Sequence, residues 1–89
     1  MASTDYEFSG LILLSTNDSS GVEESLVEVL KPFTLKILDV QKIQLRGRLI
    51  IGMLIACDRA HAVAIEEDIN AFSQSSGFDV AIDFSPLAE

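Results

Sequence analysis

The sequence has little positive charge and almost no cysteine, and each shortage excludes a class of function. Six lysines and arginines stand against 14 aspartates and glutamates, for a net charge of −8. An acidic surface of this kind repels phosphate backbones and anionic lipids, so we expect neither nucleic acid nor a membrane as a partner. The single cysteine, Cys57, excludes an intrachain disulfide, and its apolar neighbours predict a small buried side chain.

Long apolar runs are also missing. No stretch reaches the roughly 18 consecutive apolar residues of a membrane span, and the acidic, polar start MASTDYEFSG is unlike a signal peptide. A cytoplasmic protein is therefore expected. The 89 residues suffice for one domain. We expect a flexible lead-in over residues 1–8, one domain over 9–85 and a tail over 86–89.

The apolar periodicity predicts six elements in the order βαββαβ. They are a strand over 9–16, a helix that ends near 33, strands over 35–45 and 49–57, a helix over 59–75 and a strand over 78–84. This order is typical of an α+β, ferredoxin-like sandwich. The expected architecture is a four-stranded antiparallel sheet with two helices on one face.

The first and third strands are apolar on both faces, as Leu11–Leu14 and LIIGMLIAC show. Both are therefore expected in the centre of the sheet, which the ferredoxin-like strand order four-one-three-two provides. Two helices cover only one face of such a sheet. The other apolar face predicts a cover, most simply a second copy or a neighbouring domain, so we expect a homodimer through the helix-free face or a sheet edge.

Turn and cap residues give the boundaries of the helices. Ser20 and Glu23 have the spacing of a capping box for the first helix. Asp58 is a candidate N-cap for the second helix, and Gly77 fits just past its end, where a left-handed residue is favoured.

The region from 31 to 48 holds two irregularities. The alternation of the second strand breaks near Asp39, which predicts a β-bulge, and Arg46-Gly47-Arg48 predicts a tight hairpin. Five of the six basic residues also lie here. They form either a solvated strand edge or a docking or anion patch.

The polar loop at 17–21 is the candidate ligand site. It precedes a helix N-terminus, whose free N–H groups and partial positive charge suit a carboxylate. Asp18, with Asp39, would suit an ammonium group, so together they describe a site for a free amino acid. The alternative is that Asp18 only caps the helix and Asp39 is an ordinary edge residue.

Other functions of this fold lack their residues. An acyl-phosphate hydrolase needs an arginine in the first loop, and a metal carrier needs CxxC after the first strand; neither is present. RNA binding needs aromatic residues on the two central strands, which have none. A small enzyme that uses Cys57 and His61 lacks an orienting third group. Nothing in the pattern indicates a metal or a cofactor.

The run from Gly10 to Ile55 resembles an ACT domain, a small regulatory module that binds amino acids. Asp18, Gly21 and Val22 match the Asp, Gly and Val of the family's D-x-P-G-(V/I) loop, while Ser19-Ser20 replaces its common Arg-Pro pair. The segment ILDV matches the second strand, whose polar residue often faces ligand across a dimer interface. The ligand residues that the resemblance implies are Asn17, Asp18, Ser19, Ser20, Gly21, Val22 and Asp39.

ILDVQKIQLRGRLIIGMLIAC and EEDINAFSQSSGFDVAIDF are similar to the N-terminal ACT region of actinobacterial-type phosphoserine phosphatases. The resemblance implies a ligand such as serine or another small amino acid, and a C-terminal phosphatase domain as a possible partner. The DxDxT motif of that catalytic domain is absent, so this chain is expected not to be an enzyme. The alternative is a purely structural dimerisation domain without a ligand.

Overall fold

The computed structural model describes residues 7–17 and 21–86. The elements are β1 (Phe8–Thr16), α1 (Val22–Leu30), β2 (Leu35–Leu45), β3 (Arg48–Cys57), α2 (Arg59–Ser76) and β4 (Asp79–Pro86). All strand pairs are antiparallel and the sheet order is β2-β3-β1-β4. The predicted ferredoxin-like sandwich is thus confirmed, with β1 and β3 in the centre.

The hydrophobic core lies between one face of the sheet and the two helices. Alternate residues of the central strands point into it, and one stripe of each helix closes it. Its largest side chains are no more than 1% exposed: Ile12, Leu14, Leu26, Ile51, Met53, Ile55, Ile65 and Ile69. Full burial of one such side chain contributes about 1.5–3 kcal/mol, so this layer supplies most of the driving force for folding.

The opposite surface of the sheet, which we call the helix-free face, is also apolar. Leu11 and Leu13 of β1 are 43% and 48% exposed, and Ile43 and Leu45 of β2 are 51% and 58% exposed. Leu54 of β3 pairs with Leu11 and joins these strands into one surface. The prediction that β1 has two apolar faces is therefore confirmed, and one of them is uncovered in the single chain.

A bulge in β2 explains its broken alternation. The register shifts between Ile37 and Asp39, as predicted. Before the bulge, Ile37 pairs with the buried Ile55; after it, Ile43 pairs with Ile50 on the helix-free face. One extra residue reverses the facing of every later side chain. Odd-numbered residues before the bulge and odd-numbered residues after it therefore lie on opposite faces of the sheet.

The β2–β3 hairpin and α2 follow their predicted local signals. Arg46 and Gly47 have φ values of 53° and 78°, the positive pair that a type I′ turn requires. Asp58 accepts a hydrogen bond from the His61 N–H at 2.9 Å, and Gly77 adopts a left-handed conformation after the last turn. The N-cap and C-cap predictions for α2 are confirmed.

Both ends of α1 differ from prediction. The helix ends at Leu30 rather than near Phe33, because Pro32 has no N–H to continue the ladder. The Phe33 N–H instead donates to the Leu30 carbonyl at 3.1 Å. The N-cap is Gly21, with φ 69°, and not Ser20, which lies outside the described residues. The helix register is therefore one residue later than a Ser20–Glu23 capping box requires.

Candidate functional site

The candidate loop connects the end of β1 to the start of α1. Of its residues, Asn17 and Gly21 belong to the described structure, whereas Asp18, Ser19 and Ser20 lie outside it. Val22 is 1% exposed and packs in the core. Its side chain is therefore unavailable to a ligand, and only its backbone can take part in a site.

A cleft of about 540 Å³ opens beside the first turn of α1. It combines backbone at the helix start with one ammonium, two carboxylates and one amide, and its lining is Gly21, Val22, Glu23, Glu24, Lys42, Gln44 and Leu49. Its size is in the range of small-molecule sites, roughly 300–1,000 Å³. Groups of both charges border it, which is the chemistry that a zwitterion needs.

Lys42 and Gln44 were not among the residues predicted for the site. Both belong to β2 after the bulge, where Lys42 pairs with Ile51 and Gln44 with Leu49. Since these partners belong to the core side of β3, the two polar side chains lie on the helix side of the sheet. The signal that could have found them is the bulge itself, which reverses the facing of every later residue of β2.

A second residue that sequence reasoning missed is Arg48, the first residue of β3. Its Nε donates to Ser15 Oγ at 2.8 Å and its Nη1 to Asn17 Oδ1 at 2.8 Å. Its Nη2 lies 3.2 Å from Asp79 Oδ2 in β4. One guanidinium thus connects β3 to the end of β1, to the first residue of the candidate loop and to β4.

Asp39 does not share a site with the loop within one chain. It pairs with Leu54, which pairs with Leu11, six residues before Asn17. At about 3.3 Å per strand residue this separates Asp39 from the loop by about 20 Å along the sheet. Its carboxylate accepts hydrogen bonds from the Val40 N–H at 2.9 Å and from Gln41 Nε2 at 3.5 Å. Within the chain, the Asp39 carboxylate therefore binds local donors beside the bulge.

With this geometry in view, comparison with known proteins decides the family. The model of the ACT domain family matches residues 11–83. The chain belongs to the ACT domain family. It is also 38% identical over 77 residues to phosphoserine phosphatase SerB2 of Mycobacterium tuberculosis. That alignment covers 84% of this chain and 19% of the enzyme, so the chain spans about a fifth of its relative's length.

Solved structures share the fold of this ACT domain at low sequence identity. A putative glycine cleavage system transcriptional repressor has a TM-score of 0.87 at 9% identity, over 98% of this chain and 52% of that one. An ACT domain protein from Streptococcus pneumoniae has a TM-score of 0.71 at 17% identity, over 90% of both chains. At these identities the similarity establishes the fold alone.

Ion pairs involve several of the basic residues between positions 31 and 48. Lys42 is paired with Glu23 at 2.8 Å, Arg48 with Asp79 at 3.2 Å and Lys31 with Glu28 at 3.6 Å. Three of the five basic residues between 31 and 48 therefore carry a carboxylate partner. In the single chain, a carboxylate thus offsets part of the positive charge of each of these three side chains.

Among the described residues, no hydrogen bond joins Cys57 to His61. Cys57 is fully buried, as predicted, and burial, helped by the charge of Asp58, raises the pKa of its thiol. The His61 Nδ1 lies 2.6 Å from Asp58 Oδ1, and hydrogen bonds from His61 hold the pKa of Asp58 below its ordinary value. Asp58 and His61 thus serve the start of α2.

The described part of the chain holds neither a metal-binding cluster nor a membrane-spanning helix. No group of three or more His, Cys, Asp or Glu side chains that could hold a metal occurs within residues 7–17 and 21–86. Neither of the two helices there is long and apolar enough to cross a membrane.

Proposed function

We propose that this ACT domain is a regulatory module of the cytoplasm that binds a small amino acid where the β1–α1 loop meets the α1 cleft. The observation that carries the proposal is the composition of the cleft. The N-terminus of α1 and the Lys42 ammonium supply positive charge, and Glu23, 2.8 Å from Lys42, and Glu24 supply negative charge in the lining of the same cleft. The 38% sequence identity to phosphoserine phosphatase SerB2 makes serine the first ligand to test.

In the proposed complex, the ligand carboxylate lies against the backbone of the loop and of the first turn of α1. Asn17, Ser19 and Ser20 provide polar contacts, and Gly21 and Val22 contribute N–H groups. A helix N-terminus suits this role because its first N–H groups have no partner within the helix. The ligand ammonium pairs with Asp18 and, across a dimer interface, with Asp39 of a second copy.

The proposed role of Asp39 requires a second copy of the chain. Because Asp39 and the loop lie about 20 Å apart along the sheet of one chain, they can contact one ligand only when two chains bring them together. The helix-free face, or a sheet edge, is the surface through which we expect the homodimer to form. A ligand bound between copies favours the arrangement that binds it more tightly, and only by that difference in affinity.

By this proposal the domain regulates a neighbouring catalytic domain rather than catalysing a reaction itself. A phosphatase domain is the first candidate, since the relative SerB2 is a phosphoserine phosphatase of about five times the matched length. Sequencing the gene beyond codon 89 tests this point. A DxDxT motif in the continuing reading frame is the expected result, and a stop codon at once would contradict it.

Titration calorimetry with serine, glycine and other small amino acids tests ligand binding. We expect heat of binding with at least one of them, and weaker binding in Lys42→Met. Lys31→Met is the matched control, because Lys31 lies beyond the last turn of α1 and is paired with the exposed Glu28. The absence of heat with every amino acid at millimolar concentration would overturn the proposal.

The second candidate function is dimerisation without a ligand. The observation that favours it is the helix-free face, where Leu11, Leu13, Ile43 and Leu45 are each more than 40% exposed. Light scattering with and without amino acids distinguishes the two. A dimer that responds to an amino acid supports regulation, and a dimer that never responds supports the structural role. A stable monomer contradicts both.

A further inference from the structure

The side chain of Arg48 makes hydrogen bonds with two other strands and with the candidate loop. Its contacts are Ser15 Oγ and Asn17 Oδ1, each at 2.8 Å, and Asp79 Oδ2 at 3.2 Å. Ser15 belongs to β1 and Asp79 to β4, while Asn17 is the first residue of the loop. The guanidinium therefore crosses the end of β1 on the helix-free face.

These three contacts use different nitrogens of one rigid plane. Nε holds Ser15, Nη1 holds Asn17 and Nη2 holds Asp79. Because the guanidinium is planar, the position of Ser15 and Asp79 determines where Nη1 points. Asn17 is thus held by a group that is itself anchored at two places in the sheet.

The three partners are not equivalent. The Asp79 side chain is 82% exposed, so solvent and salt weaken its attraction to Arg48. The hydrogen bond to Ser15 is partly buried and fixes the base of the guanidinium. The bond to Asn17 is the one that acts on the loop. Asn17 is the residue at which the chain leaves β1, four residues before the N-cap Gly21.

We infer that Arg48 is a positioning residue for the amino-acid site: it sets the side chain of Asn17, and with it the start of the β1–α1 loop. Arg48 acts through Asn17 and need not touch the ligand. A lysine here cannot replace it, because one ammonium on a flexible stem cannot hold three acceptors in a fixed geometry. The effect on ligand affinity rests on the proposed function, whereas the effect on Asn17 does not.

A pair of arginine-to-lysine variants in the same hairpin tests the inference. Arg48→Lys removes the planar fork and keeps the charge. Arg46→Lys is the matched control, since Arg46 is an exposed residue of the turn that has no ion pair among the described residues. Asp79→Asn tests whether the contact to β4 matters by itself.

The first measurement is the NMR spectrum of the ligand-free protein. We expect Arg48→Lys and Arg48→Met to shift the side-chain amide of Asn17 and the backbone amide of Gly21, while Arg46→Lys leaves both in place. A role confined to strand pairing would instead move the amides of β4 and leave Asn17 unchanged, and that result would overturn the inference. Arg48→Lys keeps the test open if Arg48→Met fails to fold.

The second measurement is the affinity for the amino acid that the wild-type chain binds. We expect Arg48→Lys to weaken it by about tenfold, as misplaced contacts do, and Arg46→Lys and Asp79→Asn to change it less than about twofold. Unchanged affinity in Arg48→Lys overturns the inference. If the wild-type chain binds no amino acid, the proposed function fails, and the Asn17 spectrum still decides the role of Arg48.

Discussion

The ammonium of Lys42 lies 2.8 Å from the carboxylate of Glu23, and this pair joins the edge strand β2 to the first turn of α1. Lys42 points toward the helix only because the bulge near Asp39 reverses the facing of the later part of β2. The bulge therefore does more than interrupt the strand. It places the Lys42 ammonium beside the α1 cleft.

Removing the Lys42–Glu23 pair should affect folding only slightly. The two side chains are 54% and 39% exposed, and pairs of this kind contribute about 0.2–1 kcal/mol. We expect a coupling energy in that range from urea unfolding of Lys42→Met, Glu23→Gln and the double variant, and a smaller one at high salt. A coupling of several kcal/mol would mean that the pair is structural, and would remove it from the ligand site.

Replacing Leu13 by aspartate should dissociate the proposed dimer without unfolding the domain. Leu13 is 48% exposed on the helix-free face, so a charge is tolerated in the single chain and disfavoured in an apolar interface. Light scattering should report a monomer, with circular dichroism unchanged. Val63→Asp is the control, because Val63 is 62% exposed on α2, away from that face. Dissociation by both variants, or by neither, would contradict an interface on the helix-free face.

Gly10 and Gly52 should respond oppositely to alanine. A Cβ at Gly10 would lie 2.7 Å from Phe84 Cε1 and 3.2 Å from Ile55 Cγ1, so the ring must move. We expect a loss of about 1–3 kcal/mol in urea unfolding. A Cβ at Gly52 meets only Leu13 Cδ2 at 3.7 Å, so Gly52→Ala should be neutral or stabilise by about 0.4–1 kcal/mol. Equal changes in the free energy of unfolding would show that the close packing around Gly10 does not control the effect of an added Cβ.

Asp58 should give the domain part of its acid sensitivity. Hydrogen bonds from His61 lower the pKa of Asp58 below its ordinary value of 3.8. A depressed carboxyl pKa stabilises the fold above the unfolded-state value, and the contribution is lost as the pH falls through the folded-state value. The Tm of the wild type should therefore fall more steeply below pH 3.8 than the Tm of Asp58→Asn. Asparagine caps a helix as well as aspartate but does not titrate in this range; parallel curves would contradict this prediction.

Local patterns predicted most of the fold because each rests on neighbouring residues. Apolar residues on both faces identified β1 and β3 as central strands, and Asp58 and Gly77 marked the ends of α2. The end of α1 was placed too late, because apolar spacing continued to Phe33 while Pro32 stopped the hydrogen-bond ladder. At the start of α1, the Ser20–Glu23 spacing predicted the N-cap one residue too early, since the helix begins after Gly21.

The candidate site was predicted less completely than the fold. The loop at 17–21 was recognised from its turn residues and its family pattern, but its partners came from distant parts of the chain. Arg48 reaches Asn17 across 31 positions of sequence. Lys42 reaches Glu23 only in one register of β2. A shift of one residue would turn each side chain to the other face, so composition and spacing could not reveal these contacts.

For this ACT domain, the sequence by itself determined the elements, their order, the two apolar faces of the central strands and the loop most similar to a ligand loop. These depend on periodicity and on turn chemistry, which act within a few residues. Only the tertiary structure decided that Arg48 holds Asn17, that Lys42 borders the α1 cleft, and that Asp39 lies too far away to share a site within one chain. Strand register and the bulge control these distances, and both are settled by packing across the whole sheet.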